Sequence, residues 1–242
     1  MPKLVERLEE CVAYSKKNLT RSIERFLQYG DNYIITTYRK LAVADYLSSR
    51  DPIIFRSHMR LASEYQIKLF ERFEASGGSE ARSFTGLVSD LEVWNALATC
   101  DFELTKKLMG HVYKNNSGVI DHPNPRFYHY MHRTLILGVP VPNNFFEEIT
   151  VIFAKKFKSF TGYPKAFKAI LNKDIPAFEE AFTEIMKGHK VLCRSGSYFG
   201  DSVDEIIAIW PLGMINLAKF HGMDVRIAHP LIPKDLICAV CH

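Results

Sequence analysis

Residues 202–222 read SVDEIIAIWPLGMINLAKFHG, and this stretch decides the fold. Between Ile206 and Ala218 it carries no charged side chain. Ile206, Ile207, Ile209, Trp210, Leu212, Met214, Ile215 and Leu217 do not keep to one stripe; at helical spacing they spread around the whole circumference. A helix that is apolar on every side is buried in protein or in lipid. A bilayer span needs about 18–20 apolar residues, more than this run supplies. The stretch therefore reads as the central buried helix of a soluble protein. Ser202 and Glu205 form an S-x-x-E capping box, each side chain able to satisfy an open backbone N–H of the first turn. Lys219 and His221 fall in the last turn, where a cation suits the helix dipole, and Gly222 can adopt the left-handed stop. Pro211 has no N–H, so a kink or split is expected there.

The rest of the chain is large enough to surround such a helix. It has 242 residues, 47% of them hydrophobic and 24% charged, which is the balance of an ordinary globular protein. The net charge of +4 is mild and no long basic run occurs. Lys155, Lys156 and Lys158 are interleaved with Phe153, Phe157 and Phe160, which suits a solvated helix face over core aromatics better than a nucleic-acid patch. The N-terminal MPKLVERLEECVAYSKK is amphipathic and charged, and lacks the apolar core and cleavage site of a secretory signal. The five cysteines, Cys11, Cys100, Cys193, Cys238 and Cys241, are then expected as free thiols in a reducing compartment, and the cytoplasm is the expected address.

Outward from the central helix, apolar residues recur at three and four almost everywhere. Residues 3–29 form one such run, ended by Gly30, with Asp31 capping a second helix to about Ser48. Asp51-Pro52 opens a third, Ser89 and Glu92 cap a fourth, and Asp101 starts a fifth. Residues 114–125 read as the longest loop; a helix through Tyr128 and Ile136 follows, and then helices near 145–159, 163–172 and 175–192. Val225, Arg226 and Ile227 alternate as a short extended segment, and Lys234 starts a last turn. The expected fold is all-α: a single domain, residues 1–242, of packed helical hairpins, solenoid-like or bundled, around the apolar helix near the C-terminus. The glycine–serine loop at 76–82 is the one place where it would divide into subdomains. A faint internal echo links Leu47–Phe55 with the segments around Asp101 and Asp174: each ends one helix and caps the next with Asp. Stacked hairpins would produce it, and so would three unrelated junctions with the same cap.

Few residues point to chemistry. Cys238-Ala-Val-Cys241-His242 matches the C-x-x-C-H spacing of haem attachment, but it is the end of the chain and no export signal accompanies it. No second Cys pair completes a zinc site. His122, His129 and His132 cluster beside Asp121, yet lie among aromatic residues and form no recognised ligand motif. There is no nucleophile elbow, Walker loop or dinucleotide fingerprint. No catalytic residue, metal or cofactor is expected from these patterns.

One resemblance emerges in the C-terminal third. Asp174, Phe178, Phe182, Met186 and His189 at helical spacing precede L212-G-M-x-x-L-A218, H221-G-x-x-V225 and P230-L-I-P-x-x-L236. This order resembles the immunity protein 49 family of bacterial polymorphic toxin systems, and A44-D-Y-L47 with R50-D-P52 fits the same picture. The resemblance implies an all-α cytoplasmic protein, not an enzyme, that binds a cognate toxin and blocks it by covering its active site; no nucleic acid or membrane is implied as a partner. It supplies no binding residues position by position. The residues themselves offer Tyr198, Phe199, Asp201 and Asp204, in a glycine-flanked loop before the central helix; capping of that helix is the other role open to them. A helical-repeat adaptor and a metal-dependent helical enzyme built on His122, His129 and His132 are the competing functions.

Overall fold

A computed structural model describes residues 2–29, 32–77, 89–116, 123–140 and 145–239. Among these residues there are ten α-helices and no β-strand, only an isolated bridge between His229 and Ile232. The all-α expectation holds. Two compact units are present, residues 1–116 and 117–242, and each is described by itself. Residues 78–82 of the glycine–serine loop, residues 83–88 after it, and Gly30 and Asp31 lie outside the described residues.

In the first unit α1 (Pro2–Tyr29), α2 (Tyr33–Ser49) and α3 (Pro52–Ala75) are followed by α4 (Ser89–Leu97) and α5 (Phe102–Asn116). Successive helices pack as hairpins, α1 on α2 and α2 on α3, with α3 also against the α4–α5 pair. The seam is apolar: Phe26, Ile34, Ile35, Tyr38, Leu41, Ala62 and Leu69 form one buried cluster. Arg72 ties the end of α1 to α3 by donating to the Phe26 and Leu27 carbonyls at 3.2 and 3.0 Å.

In the second unit α6 (Pro123–Leu137), α7 (Phe145–Lys156), a 3₁₀ turn at Lys158–Phe160, α8 (Gly162–Asn172) and α9 (Ile175–Leu192) precede the central helix α10 (Ile209–Phe220). Helix α5 continues to Asn116 and α6 begins at Pro123, so both ends of the loop expected over 114–125 are helical; residues 117–122 lie outside the described residues. Prolines at the start of a helix explain the α6 end, because the first turn needs no N–H from them.

The central helix is buried from Ile209 through Lys219, as its all-round apolar sequence requires. Its start differs from expectation. Residues 203–205 form a separate 3₁₀ turn, the chain bends at 206–208, and the α-helix begins at Ile209. Pro211 therefore sits in the first turn, where the N–H has no helical acceptor, and there is no interior kink for it to cause. Nor do Ser202 and Glu205 reciprocate: Ser202 Oγ accepts from the Asp204 N–H at 3.2 Å, and the Glu205 carboxylate accepts from the Asp201 N–H. The other end behaves as the sequence says. Gly222 is left-handed (φ 77°), and Met223 N–H reaches back to Ala218 O at 3.1 Å, which closes the helix with a Schellman turn.

The echoed junctions share one geometry. Arg50, Cys100 and Lys173 all have left-handed φ, at 56°, 60° and 56°. Each is followed by an aspartate whose Oδ1 accepts from the next helix: Asp51 from Ile53 N, Asp101 from Leu104 N and Asp174 from Ala177 N, at 2.8, 2.9 and 3.0 Å. One left-handed residue reverses the chain and the Asp restarts it, so the hairpins α2–α3, α4–α5 and α8–α9 close tightly. In the α8–α9 hairpin two glycines allow unusually close contact. A Cβ on Gly162 would lie 2.6 Å from Ile185 N, and one on Gly188 would lie 1.9 Å from Ser159 O.

Two substitutions test these devices by thermal or urea unfolding. Asp174→Ala removes a cap and is expected to cost about 1 kcal/mol. Gly188→Ala forces backbone apart and is expected to cost about 1–3 kcal/mol; an unchanged midpoint for Gly188→Ala would contradict the packing described.

Candidate partner-binding site

The surface next to the central helix is shaped by α9 and by the chain on either side of α10. Helix α9 buries Phe178, Phe182, Ile185 and Met186 and exposes Lys187 and Lys190. At its end Cys193 N–H closes the last turn on His189 O. The loop then turns sharply at Gly196 and Asp201, both with positive φ, of 76° and 57°. Gly200 passes so close to the Arg194 carbonyl that a Cβ there would approach it to 2.3 Å. Beyond α10, residues 223–228 alternate: Met223 and Val225 are buried, while Asp224, Arg226 and Ala228 are exposed. That two-residue period is the mark of an extended chain, and it agrees with the alternation visible in the sequence. The segment is anchored by the Arg226 N–H, which donates to Glu179 on α9 at 3.1 Å, and by Leu231 O, which accepts from Ala208 N at 3.0 Å.

Between α9 and this extended segment runs a groove of about 760 Å³. Phe182, Met186 and Leu231 contribute apolar lining, and Lys187, Lys190 and Arg226 bring cations to it. Cys193 and Glu205, at the two ends of the glycine loop, also border it.

The four loop residues singled out from the sequence divide by burial. Tyr198 is 54% exposed and Asp201 is exposed, while Phe199 and Asp204 are buried. Phe199 packs edge-on to Trp210 with ring centres 5.0 Å apart, and Tyr198 packs against the same indole at 5.5 Å. Asp204 offers its backbone carbonyl to His189 Nε2 at 2.8 Å. The structure brings Tyr198 and Phe199 together on Trp210. The groove residues Lys187, Lys190 and Arg226 were not found from sequence; the only signal for them was the exposed alternation at 225–227.

His189 and Cys193 look like a catalytic pair, with Sγ 3.3 Å from Nε2. Their chemistry says otherwise. A carbonyl can only accept, so the bond to Asp204 O fixes the proton on Nε2, and the ring nitrogen nearest the thiol is a donor rather than a base. Burial, with the Asp204 and Glu205 carboxylates nearby, pushes the Cys193 thiol up to about 12, the opposite of an activated nucleophile.

Of the clustered histidines, His122 lies outside the described residues, as does the side chain of His129. His132 is fully buried, stacked on Tyr128 and edge-on to Phe167. Among the described residues no group of three His, Cys, Asp or Glu side chains is placed to hold a metal ion. Cys241 and His242 are outside the described residues, and Cys238 is disulfide-bonded, which takes its sulfur out of thiolate ligation. Cys100 is also disulfide-bonded. The expectation of free thiols holds for Cys193 and fails for these two. No described helix is long and apolar enough to cross a membrane.

Residues 159–236 match the family model of immunity protein 49. The match runs from the 3₁₀ turn before α8 to the 3₁₀ turn at Lys234–Leu236, so it contains the whole groove and the central helix. It also contains the segment, 174–236, on which the sequence resemblance rested. No curated protein and no solved structure matches the chain.

Two measurements follow from the local electrostatics. Burial lowers the pKa of His189, His221 and His229 below 6.5. Each therefore binds its proton less readily folded than unfolded. Stability present above pH 6.5 is expected to fall as the pH drops below it, and His189→Gln, which keeps a donor for Asp204 O, is expected to flatten that decline. At pH 8, alkylation of Cys193 by iodoacetamide, followed by mass spectrometry, is expected to run roughly a hundredfold or more slower than for a free cysteine.

Proposed function

We propose that this chain is an immunity protein that binds a cognate toxin of a polymorphic toxin system and blocks it by covering the toxin's active site. The observation that carries this reading is the match of residues 159–236 to the immunity protein 49 family. The physical features are consistent with a binding role. The family segment is a closely packed scaffold, held by the Gly162 and Gly188 contacts and the Trp210 cluster, and a rigid surface loses little entropy on association. The His189–Cys193 pair is arranged for packing rather than for proton transfer, so inhibition by occlusion requires no reaction at this protein. Exposed cations beside an apolar groove supply both long-range steering and short-range contact. The reading assigns the cytoplasm, where a toxin delivered to the cell would act, whereas the disulfide bonds of Cys100 and Cys238 are those of an oxidising compartment.

Co-expression tests the proposal. The toxin encoded beside this gene is expected to arrest growth when expressed alone, and to be tolerated and to co-purify with this chain when both are present. Continued toxicity together with absence of co-purification would exclude the immunity role.

A further inference from the structure

The groove between α9 and residues 226–231 has properties that name the kind of partner segment it fits. Its two carboxylates are already engaged: Glu179 accepts from the Arg226 N–H and Glu205 from the Asp201 N–H. Its cations are not equally matched. Lys187 and Lys190 are exposed and make no ion pair among the described residues. Arg226 has only a long contact to Asp224 at 3.8 Å, and that carboxylate is held more closely by Lys219, at 2.8 Å. With Lys187, Lys190 and Arg226 against Glu179 and Glu205, the groove carries a net positive charge.

Its wall is an open backbone edge. In an extended chain the N–H and C=O of one residue point to the same side, and residues two apart share a side. The Arg226 N–H faces Glu179 on α9, so the Ala228 N–H and the Arg226 and Ala228 carbonyls face the groove as well. Among the described residues the Ala228 N–H makes no hydrogen bond. An extended edge whose Ala228 N–H is free, beside an apolar floor, is the arrangement that captures an extended peptide by strand addition.

We propose that this groove receives an extended acidic segment of the toxin. The segment pairs its backbone with the Ala228 N–H and the Arg226 and Ala228 carbonyls, sets an apolar side chain over Phe182 and Met186, and places carboxylates against Lys187 and Lys190. The inference rests on the immunity reading and goes further by fixing the face and the chemistry of the partner.

The test uses the full chain and the toxin domain encoded beside its gene, with affinity measured by calorimetry at low and moderate salt. Lys187→Glu with Lys190→Glu is expected to weaken binding about tenfold or more and to reduce its salt dependence. Ala228→Pro removes the groove-facing N–H at an exposed, extended position, and is expected to weaken binding several-fold. Lys168→Glu, exposed on α8 and outside the groove, is expected to bind as the wild type does. Thermal midpoints identify any variant that fails to fold, and hydrogen exchange on the unaltered protein gives a second readout, with protection expected at Ala228 in the complex. If the wild type binds but neither groove variant weakens it and Ala228 stays unprotected, the groove assignment is wrong and the immunity reading stands. If the wild type neither binds nor rescues growth, the immunity reading itself fails.

Discussion

The indole of Trp210 lies where the second unit's elements meet. Ring centres of Tyr128, Phe160, Tyr163, Tyr198 and Phe199 lie 5.0–6.3 Å from it, most of them edge-on. These rings come from α6, the 3₁₀ turn before α8, α8 itself and the glycine loop, so one side chain on the first turn of the central helix organises four separated stretches of chain. Edge-to-face geometry matters because the positive ring edge meets a negative face, which gives such a cluster directional preference beyond its buried area. The surrounding phenols answer to the same burial: those of Tyr128 and Tyr163 are driven well above their usual pKa and stay neutral.

Around that cluster the second unit is tied by few but specific polar links. His221 Nε2 donates to Leu135 O at 2.8 Å, which joins the end of the central helix to α6, and Lys173 donates to His221 O from the α8–α9 junction. Buried Asn216 accepts from the Cys238 N–H at 3.0 Å, which holds the tail against the helix. Each link meets a backbone group left open at a helix end or in non-helical chain, where an unmet donor or acceptor would be expensive. The extended segment 223–228 is therefore held in place by α9 and α10 without being part of a sheet.

The binding role proposed for this chain needs a face that is held in place, and the same devices that close the helical hairpins hold α9. Left-handed Lys173 followed by capping Asp174 brings α8 and α9 together, Gly162 lets α8 approach the α9 backbone, and Gly188 lets α9 approach Ser159 in the 3₁₀ turn before α8. The Arg226 N–H, bonded to Glu179, then ties the extended segment to α9. The occlusion proposed for this chain depends on such close packing, since affinity gained from a few anchors is lost if the anchors must first be ordered.

Much of the fold was legible in the sequence because its determinants are local. Helical periodicity, the Asp51, Asp101 and Asp174 caps, the Gly222 stop and the apolar run at 206–218 all act within a few residues of themselves, and each appears in the structure where the sequence puts it. The start of the central helix was misread for a local reason too: Ser202 and Glu205 have the right spacing for a capping box, but their acceptors are taken by Asp204 N–H and Asp201 N–H. The loop residues were legible as a cluster and not by exposure. Nothing in Y-F-G-D says that Tyr198 and Asp201 face solvent while Phe199 turns onto Trp210. The groove was not legible at all, because Lys187 and Lys190 on one helix and Ala228 on a later extended segment become neighbours only through the packing of α9 against the chain beyond α10. The sequence by itself determined the helices, their caps and the burial of the central one, since these follow from backbone hydrogen bonding and periodicity. Only the tertiary structure decided which charges and which backbone edge share a surface, because that depends on contacts between residues far apart in the chain.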